Sequence, residues 1–242
     1  MALREPLFSV IIPSYNGARL LERCLSSLSH VRYPADRREW IVVDNGSSDG
    51  TQTMVRRRFP GTKIIRLPQN LGFTGGIAAG VSAAQGRYLV FLNNDMRVTP
   101  QWLEAFDEVL RGQHAVCATG KILDRTGKYV DFIQGILLFD GHALQRFQGA
   151  RAENFQGLQP HPTFIACGGN MAVRKDVFLS LGGFDRDFFA YTEDVDFSWR
   201  LHAAGFQIIF APEAVTFHDH QATSNRLGRY RRGFLYERNA FA

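Results

Sequence analysis

Four short apolar runs, each ending in polar residues or glycine and separated by helical stretches, constrain this chain more than any other feature. Residues 7–12 run into Pro13-Ser14-Tyr15-Asn16-Gly17 and residues 40–43 into Asp44-Asn45-Gly46-Ser47. Residues 63–67 run into Pro68-Gln69-Asn70-Leu71-Gly72 and residues 88–92 into Asn93-Asn94-Asp95. Helix-like stretches at 18–29, 51–59 and 76–84 lie between them. Strand–helix alternation of this kind implies a parallel sheet. The carboxyl ends of its strands then share one edge, which is where open α/β sheets bind ligands. Asp44 is thereby placed to accept hydrogen bonds from a ligand. The plainer alternative is a strand–turn with a helix cap.

Size and charge narrow the class. At 242 residues the chain fits one large domain or two fused lobes, and a 45% hydrophobic content supports a sizeable core. No stretch approaches the roughly 20 continuous apolar residues that span a bilayer. The start, MALREPLF, shows no signal peptide. Cys24, Cys117 and Cys167 are odd in number, widely spaced and outside any zinc pattern, which suggests a reduced, cytoplasmic setting. The net charge is +5, and residues 226–242 carry five arginines against Glu237 alone. The body is therefore near neutral, which argues against nucleic acid as a partner. The tail, basic and aromatic, suits either an anionic membrane face or packing on the domain with solvated arginines. It also reads as the start of a truncated C-terminal region.

The segments SVIIPSYNG, VVDNGSSDGT, QNLGFTGGIAAG and FLNNDM resemble the successive motifs of family 2 glycosyltransferases. CGGNMAVRKDVFLSLGGFDRDFFAYTEDVDFSWRLHAAGF resembles the acceptor half of that family. Each motif is weak alone, but their order and spacing from about residue 8 to about residue 220 are specific. The subtype resembled is the rhamnosyltransferase-like one of bacterial glycan assembly. The resemblance implies a GT-A-like α/β fold, a Rossmann-type, mostly parallel sheet flanked by helices, with fused donor and acceptor halves. The expected organisation is one domain over residues 1–225. Its nucleotide-sugar half covers about 1–100, its metal and acceptor half about 101–225, and the tail 226–242 follows.

For the donor, the resemblance assigns Pro13, Tyr15 and Asn16 to the base and ribose. Asp44 resembles the carboxylate that accepts the imide N–H of uracil or thymine, since a carboxylate accepts and cannot donate. That favours a UDP- or dTDP-sugar. Gly46, Ser47 and Asn70 line the same edge. Gly72, Gly75 and Gly76 precede a helix, where close backbone approach and a helix N-terminus suit phosphate. Their spacing is neither a dinucleotide fingerprint nor a P-loop. Asn93, Asn94 and Asp95 stand where the family has its metal-binding Asp-x-Asp. One carboxylate is missing, and Asp95 remains as the direct ligand for Mg²⁺ or Mn²⁺ on a diphosphate. His218 stands where the family often completes the metal site, and His220 is an alternative.

For the acceptor, Gly168, Gly169 and Asn170 leave room for a substrate, and Tyr191 is placed to stack on a sugar or to join a core cluster. Thr192 reads as the N-cap of a helix opened by Glu193 and Asp194. Helix-end preference alone accounts for acids there. The resemblance adds that Asp194 is the general base, with Glu193 beside it, removing the acceptor's hydroxyl proton. Residues 126–160 match no readable pattern, and acceptor identity is expected there.

The resulting expectation is an inverting, metal-dependent glycosyltransferase. It would move a sugar from a UDP- or dTDP-sugar to a glycan or lipid-linked saccharide in the cytoplasm, with the inner membrane face as a further site. One alternative is a nucleotidyltransferase, which needs a glycine- and lysine-rich loop where this chain has PSYNG. The other is a catalytically silent glycan-binding module, favoured by Asn93 and opposed by the Glu193-Asp194 pair.

Overall fold

The computed structural model describes residues 7–111, 115–219 and 229–240. The first half alternates β1 (Phe8–Ser14), α1 (Ala18–Leu28), β2 (Arg38–Asp44), α2 (Thr51–Arg58), β3 (Lys63–Arg66), α3 (Gly72–Ala83) and β4 (Tyr88–Leu92). The second half holds β5 (Met96–Val98), α4 (Trp102–Arg111), β6 (Ala115–Asp124), β7 (Val130–Phe132), β8 (Gln134–Leu137), β9 (Ala143–Arg146) and β10 (His161–Thr163). It continues with β11 (Asn170–Arg174), α5 (Lys175–Ser180), α6 (Glu193–Ala203), β12 (Gln207–His218) and α7 (Arg229–Ala240).

One sheet crosses both halves in the order β10-β12-β6-β11-β4-β1-β2-β3, with β5 on β12 and β7 on β6. The strands β4, β1, β2 and β3 are all parallel, so their carboxyl ends share an edge. The chain leaves β1 toward β2 on one side and returns to β4 on the other. That reversal is the switch point where such sheets open a crevice. Beyond β4 the pairing turns mixed. β11 runs antiparallel to both β4 and β6, whereas β6 and β12 are parallel. The second half thus departs from a mostly parallel pattern. The region 126–160 contributes β7 and the β8–β9 hairpin.

Strand alternation builds two cores. Val10, Ile12, Val42, Val90 and Leu92 face α1 and α4, where Leu21, Leu25, Trp102 and Phe106 are buried. Ile11, Ile41, Val43, Leu89 and Phe91 face α3, α5 and α6, meeting Ile77, Phe178 and Phe197. Each fully buried side chain of this size contributes about 1.5–3 kcal/mol. Helices on both faces hold the sheet edge rigid. A Cβ on Gly80 would overlap the Ile11 side chain, so α3 lies close on β1. That closeness sets α3's first turn at the crevice. Among the described residues no helix is long and apolar enough to cross a membrane. One side of α7 packs on the domain through Leu235 and Asn239, while Tyr230 and Phe234 face outward.

Candidate active site

The loops after β1 and β2 lock onto each other. The Asn16 amide N–H donates to Ser47 Oγ (2.9 Å), and the Ser48 N–H donates to Asn16 Oδ1 (2.8 Å). The Ala18 N–H donates to Asp49 Oδ2 (2.9 Å). Asn94 of the β4 end donates to Ser14 Oγ of the β1 end (2.8 Å). These bonds bring Asn16, Ser47 and Asn94 to one rim, with Pro13 buried behind them and Tyr15 exposed. Gly46, at φ +79°, passes within 3.0 Å of the Gln69 backbone, measured from where its Cβ would be. Asn70 accepts the Gly72 N–H (2.9 Å).

Asp44 ends β2, at the edge where these loops meet. It is fully buried, and both carboxylate oxygens are engaged, by the Ser47 N–H (2.9 Å) and the Gln52 amide (2.7 Å). It organises the turn, as an Asx turn does. Its neighbour Asn45 joins the loop to α3. Asn45 Nδ2 donates to the Gly72 carbonyl (3.0 Å), and its buried Oδ1 has no partner. A buried acceptor left alone costs about 1–3 kcal/mol.

The glycines after β3 also shift in role. The helix begins at Gly72, so Gly75 and Gly76 lie inside α3, not before it. The Phe73 and Thr74 amides, which a phosphate would need, donate to the Phe189 carbonyl (2.7 and 3.3 Å). A Cβ at Gly72 would overlap that same carbonyl. Gly75 makes room for Leu71, and Gly76 for Asn45 and Pro13. The three glycines fit neighbours together.

Asp95 and His218, 123 positions apart in sequence, meet where β4 and β12 end. His218 Nε2 lies 3.4 Å from Asp95 Oδ2, and His218 Nδ1 lies 2.7 Å from Asp131 Oδ2. Asp131 is buried on β7, and Gln148 donates to its other oxygen (3.2 Å). Burial pulls the imidazole pKa down, but hydrogen bonds and charge from Asp131 and Asp95 outweigh it and raise the value to about 10. Among the described residues no group of three His, Cys, Asp or Glu forms a complete metal cage. A carboxylate beside an imidazole that an outer carboxylate orients would suit a divalent ion once the imidazole gives up its proton, the other ligands coming from substrate oxygens. Asn93 sits beside this pair, its amide facing Gly169. His220 lies outside the described residues.

Glu193 and Asp194 open α6. Asp194 Oδ2 accepts the Gly168 N–H (2.8 Å) and remains partly accessible. Glu193 is buried, and its Oε2 has no partner. Burial first, then the Asp194 charge, lifts the Glu193 carboxyl well above the usual carboxylate range. Burial also raises Asp194, against the Gly168 hydrogen bond. The two adjacent glycines join the halves of the site. A Cβ on Gly168 would stand 3.3 Å from Asp194 Cβ, and one on Gly169 would stand 2.8 Å from Asn93 Nδ2. The charges of Asp194, Asp131 and Glu193 all act on Cys167, the next residue back, whose pKa burial raises most. The acid pair and the Asp95–His218 pair therefore flank one short segment.

One acceptor assignment fails, that of Asn170, and Tyr191 keeps only one ring face for a sugar. Asn170 is fully buried, accepting from the Trp102 indole (2.9 Å) and donating to the carbonyls of Ala214 (3.0 Å) and Lys121 (3.3 Å). It ties β11 to its neighbours and reaches no substrate. Tyr191 has one ring face covered by Tyr236, with centroids 4.5 Å apart. Thr192 caps α6 by position alone. Its φ is +64°, and its hydroxyl donates to the Tyr191 carbonyl (2.7 Å) and not to the helix. Phe189 and Tyr191 also have positive φ, at 63° and 73°. Each such residue costs on the order of 1–3 kcal/mol, and such strain gathers at functional sites.

Asp131 stands at this site without having been singled out from the sequence. A signal existed, since an acid inside the apolar run Val130-Asp131-Phe132 needs a buried partner.

Residues 9–182 match the family model for glycosyl transferase family 2. Glycosyltransferase AglE of Haloferax volcanii is 30% identical over 220 residues, covering 88% of this chain and 67% of that protein. N-acetylglucosaminyl-diphospho-decaprenol L-rhamnosyltransferase of Mycobacterium tuberculosis is 30% identical over 240 residues, covering 89% and 76%. Among solved structures, GalNAc-T7 with UDP, GalNAc and Mn²⁺ aligns at a TM-score of 0.73 and 16% identity, over 91% of this chain and 45% of that one. The mixed sheet with helices on both faces is the GT-A fold.

Proposed function

The chain belongs to glycosyl transferase family 2 and is a glycosyltransferase, and from that premise we propose a specific division of labour at the sheet edge. The donor is a nucleotide-diphosphate sugar, UDP- or dTDP-linked. Its base lies against the β1 and β2 loops, where Asp44, each of whose oxygens can accept a second hydrogen bond beside those from Ser47 and Gln52, accepts the imide N–H. Asp95 and His218 hold a divalent ion, Mg²⁺ or Mn²⁺, with Asp131 orienting the imidazole. When bound, that ion screens charge on the departing diphosphate. The GalNAc-T7 structure contains UDP and Mn²⁺, which supports this choice by analogy.

Asp194 is the general base. The Gly168 N–H fixes one of its oxygens, which leaves the other to take the acceptor's hydroxyl proton as that oxygen attacks the anomeric carbon. Asp194 acts on the acceptor while the ion would sit on the departing diphosphate, an arrangement that suits a single displacement with inversion. Glu193 stays protonated and buried beside Asp194. Removing two charges from water at one point would cost more than keeping one proton. The acceptor is a glycan or lipid-linked saccharide, by analogy with the mycobacterial relative's name. The observation that carries the reading is the Gly168–Gly169 junction, which sets the acid pair against the β4 end in adjacent residues.

A screen of nucleotide-sugars by thermal shift, with and without Mn²⁺, tests the donor assignment. Ligands that bind the folded state raise its melting temperature by mass action. A Mn²⁺-dependent shift with UDP- or dTDP-sugars, followed by transfer to a saccharide hydroxyl, is expected. A shift only with GDP-sugars, or full transfer in excess EDTA, overturns the donor or the metal assignment respectively.

A further inference from the structure

The strained segment before Glu193 is held from outside by the C-terminal helix. Asn239, buried on α7, donates through Nδ2 to the carbonyls of Phe188 (3.1 Å), Ala190 (3.1 Å) and Tyr191 (2.7 Å). Its Oδ1 accepts from Arg238 Nε (2.8 Å) and Nη2 (2.6 Å). Only one orientation of the amide satisfies both sides, since carbonyls need a donor and a guanidinium needs an acceptor. Arg238 Nη2 also reaches the carbonyls of Asp187 (2.6 Å) and Phe188 (3.1 Å). The Tyr236 ring stacks on Tyr191, and the Arg231 guanidinium lies over the Phe189 ring.

The gripped segment makes two further connections. Its Phe189 carbonyl accepts the Phe73 and Thr74 amides and so caps α3, beside the Asn45 contact with Gly72. Its far end runs directly into Glu193 and Asp194. A peptide with φ positive at Phe189, Tyr191 and Thr192 would relax if released. Relaxation would turn the first residues of α6 and displace the Asp194 carboxylate from the Gly168 N–H.

We propose that Asn239 is a positioning residue for sugar transfer: through the carbonyls of 188, 190 and 191 it fixes the segment that delivers Asp194, and α7 is thereby part of the catalytic unit. The proposal rests on the reading of Asp194 as the base, and it concerns a residue that touches neither substrate. Its expected signature is a loss of turnover without a loss of donor affinity. A misplacement of about 1 Å in a reacting group costs on the order of 100-fold.

The test uses Asn239→Asp, which keeps the shape but turns an acceptor toward three carbonyls, and Asn239→Ala. Turnover, donor KM, binding of UDP and dTDP by calorimetry, and hydrogen exchange by mass spectrometry are measured on the full chain. The expected result is a kcat lower by roughly 10- to 100-fold with donor KM and nucleotide affinity within about threefold. Exchange should quicken in residues 72–75 and 186–197 together, with β1 and β2 unchanged. A folded variant with wild-type kcat overturns the proposal, and so does a parallel loss of kcat, donor affinity and protection across the whole sheet. If neither variant folds, exchange in the wild type decides. Protection of 186–192 matching that of α7 supports the clamp, and exchange there at the rate of open chain, with α7 protected, sinks it. A wild type that transfers no sugar overturns the functional reading, while the exchange results still judge the clamp.

Discussion

At the ends of β1 and β2 nearly every polar group finds its partner within the loops. Asp44 spends both oxygens on Ser47 and Gln52, Asn16 bonds to Ser47 and Ser48, and Asp49 holds Ala18. At the start of α6 the reverse holds. Glu193 keeps an unpartnered carboxylate oxygen in a buried place, and three residues before it adopt positive φ. This rim, which the proposed reading gives to the donor, is satisfied in advance and is therefore stiff. The acid rim carries cost in the folded state, and that cost is held by packing from α7. A site that recognises needs complementary atoms already in place. A site that moves protons needs groups kept away from their easiest state.

The largest expected effect breaks the comparison on the acid side. Asp194→Asn should cut transfer by roughly 10²- to 10⁴-fold, the contribution of a positioned acid–base group. UDP and dTDP affinity should not change, because the donor rim is built from other bonds. Calorimetry and turnover on the same preparation provide the check. A variant with wild-type turnover would move the base to Glu193 or to Asp196, although Asp196 is already paired with Arg200.

Asp131→Asn comes next. It leaves Asp95 and His218 in place but weakens the carboxylate that orients the imidazole. Mn²⁺ affinity, read by titration calorimetry, should fall roughly 10- to 100-fold, as outer-shell changes do. Unchanged Mn²⁺ binding would mean that His218 needs no outer support or is no ligand.

The donor rim offers a paired test. Asp44→Asn should weaken UDP or dTDP binding by roughly 3- to 10-fold, because the charge is lost while one oxygen can still accept. Asn45→Ala, at an acceptor buried beneath the rim, should leave nucleotide affinity within about twofold and act on stability in urea melts. If Asn45→Ala lowers affinity with full stability while Asp44→Asn does nothing, the base contact belongs to Asn45 and the assignment to Asp44 falls.

These tests concern the residues that sequence reading resolved least. The parallel strands and the helices were legible because apolar runs and helical spacing repeat with little ambiguity, as β1, β2 and β4 show. The pairing of Asp95 with His218 was legible only through family resemblance, since nothing local links positions on β4 and β12. The engagement of Asp44 by Ser47 and Gln52 was not legible, because a strand-end carboxylate looks the same whether it faces a ligand or its own turn. The packing of Gly72 was not legible either, because the group that caps α3 is a backbone carbonyl from Phe189, and carbonyls leave no mark in a sequence. The positive φ angles at Phe189, Tyr191 and Thr192 fall on residues that ordinarily avoid them, so no residue type announced the strain.

The smallest expected effect is a change of slope, and it bears on the acid rim alone. The Glu193 carboxyl is raised in the folded state by burial and by Asp194, from an unfolded value near 4.5. Below that value both states bind the proton, and the group imposes no penalty. As pH rises toward the folded-state pKa, the unfolded chain loses its proton and the folded chain keeps it at increasing cost, so stability falls. Glu193→Gln has no proton to lose. Its stability relative to wild type should therefore be similar at pH 4 and should grow as pH rises to 8, in urea melts at fixed temperature. Asp194 is raised too, so the variant keeps part of the slope. A donor-rim control, Asp49→Asn, should not flatten it, because hydrogen bonds from Ala18 and Thr51 outweigh burial and hold that carboxyl below its usual range. Its stabilisation is present above the unfolded pKa and is lost as pH falls. Equal slopes for wild type and Glu193→Gln between pH 5 and 8 would show that the buried carboxyl is ionised and satisfied, and the contrast between the two rims would disappear.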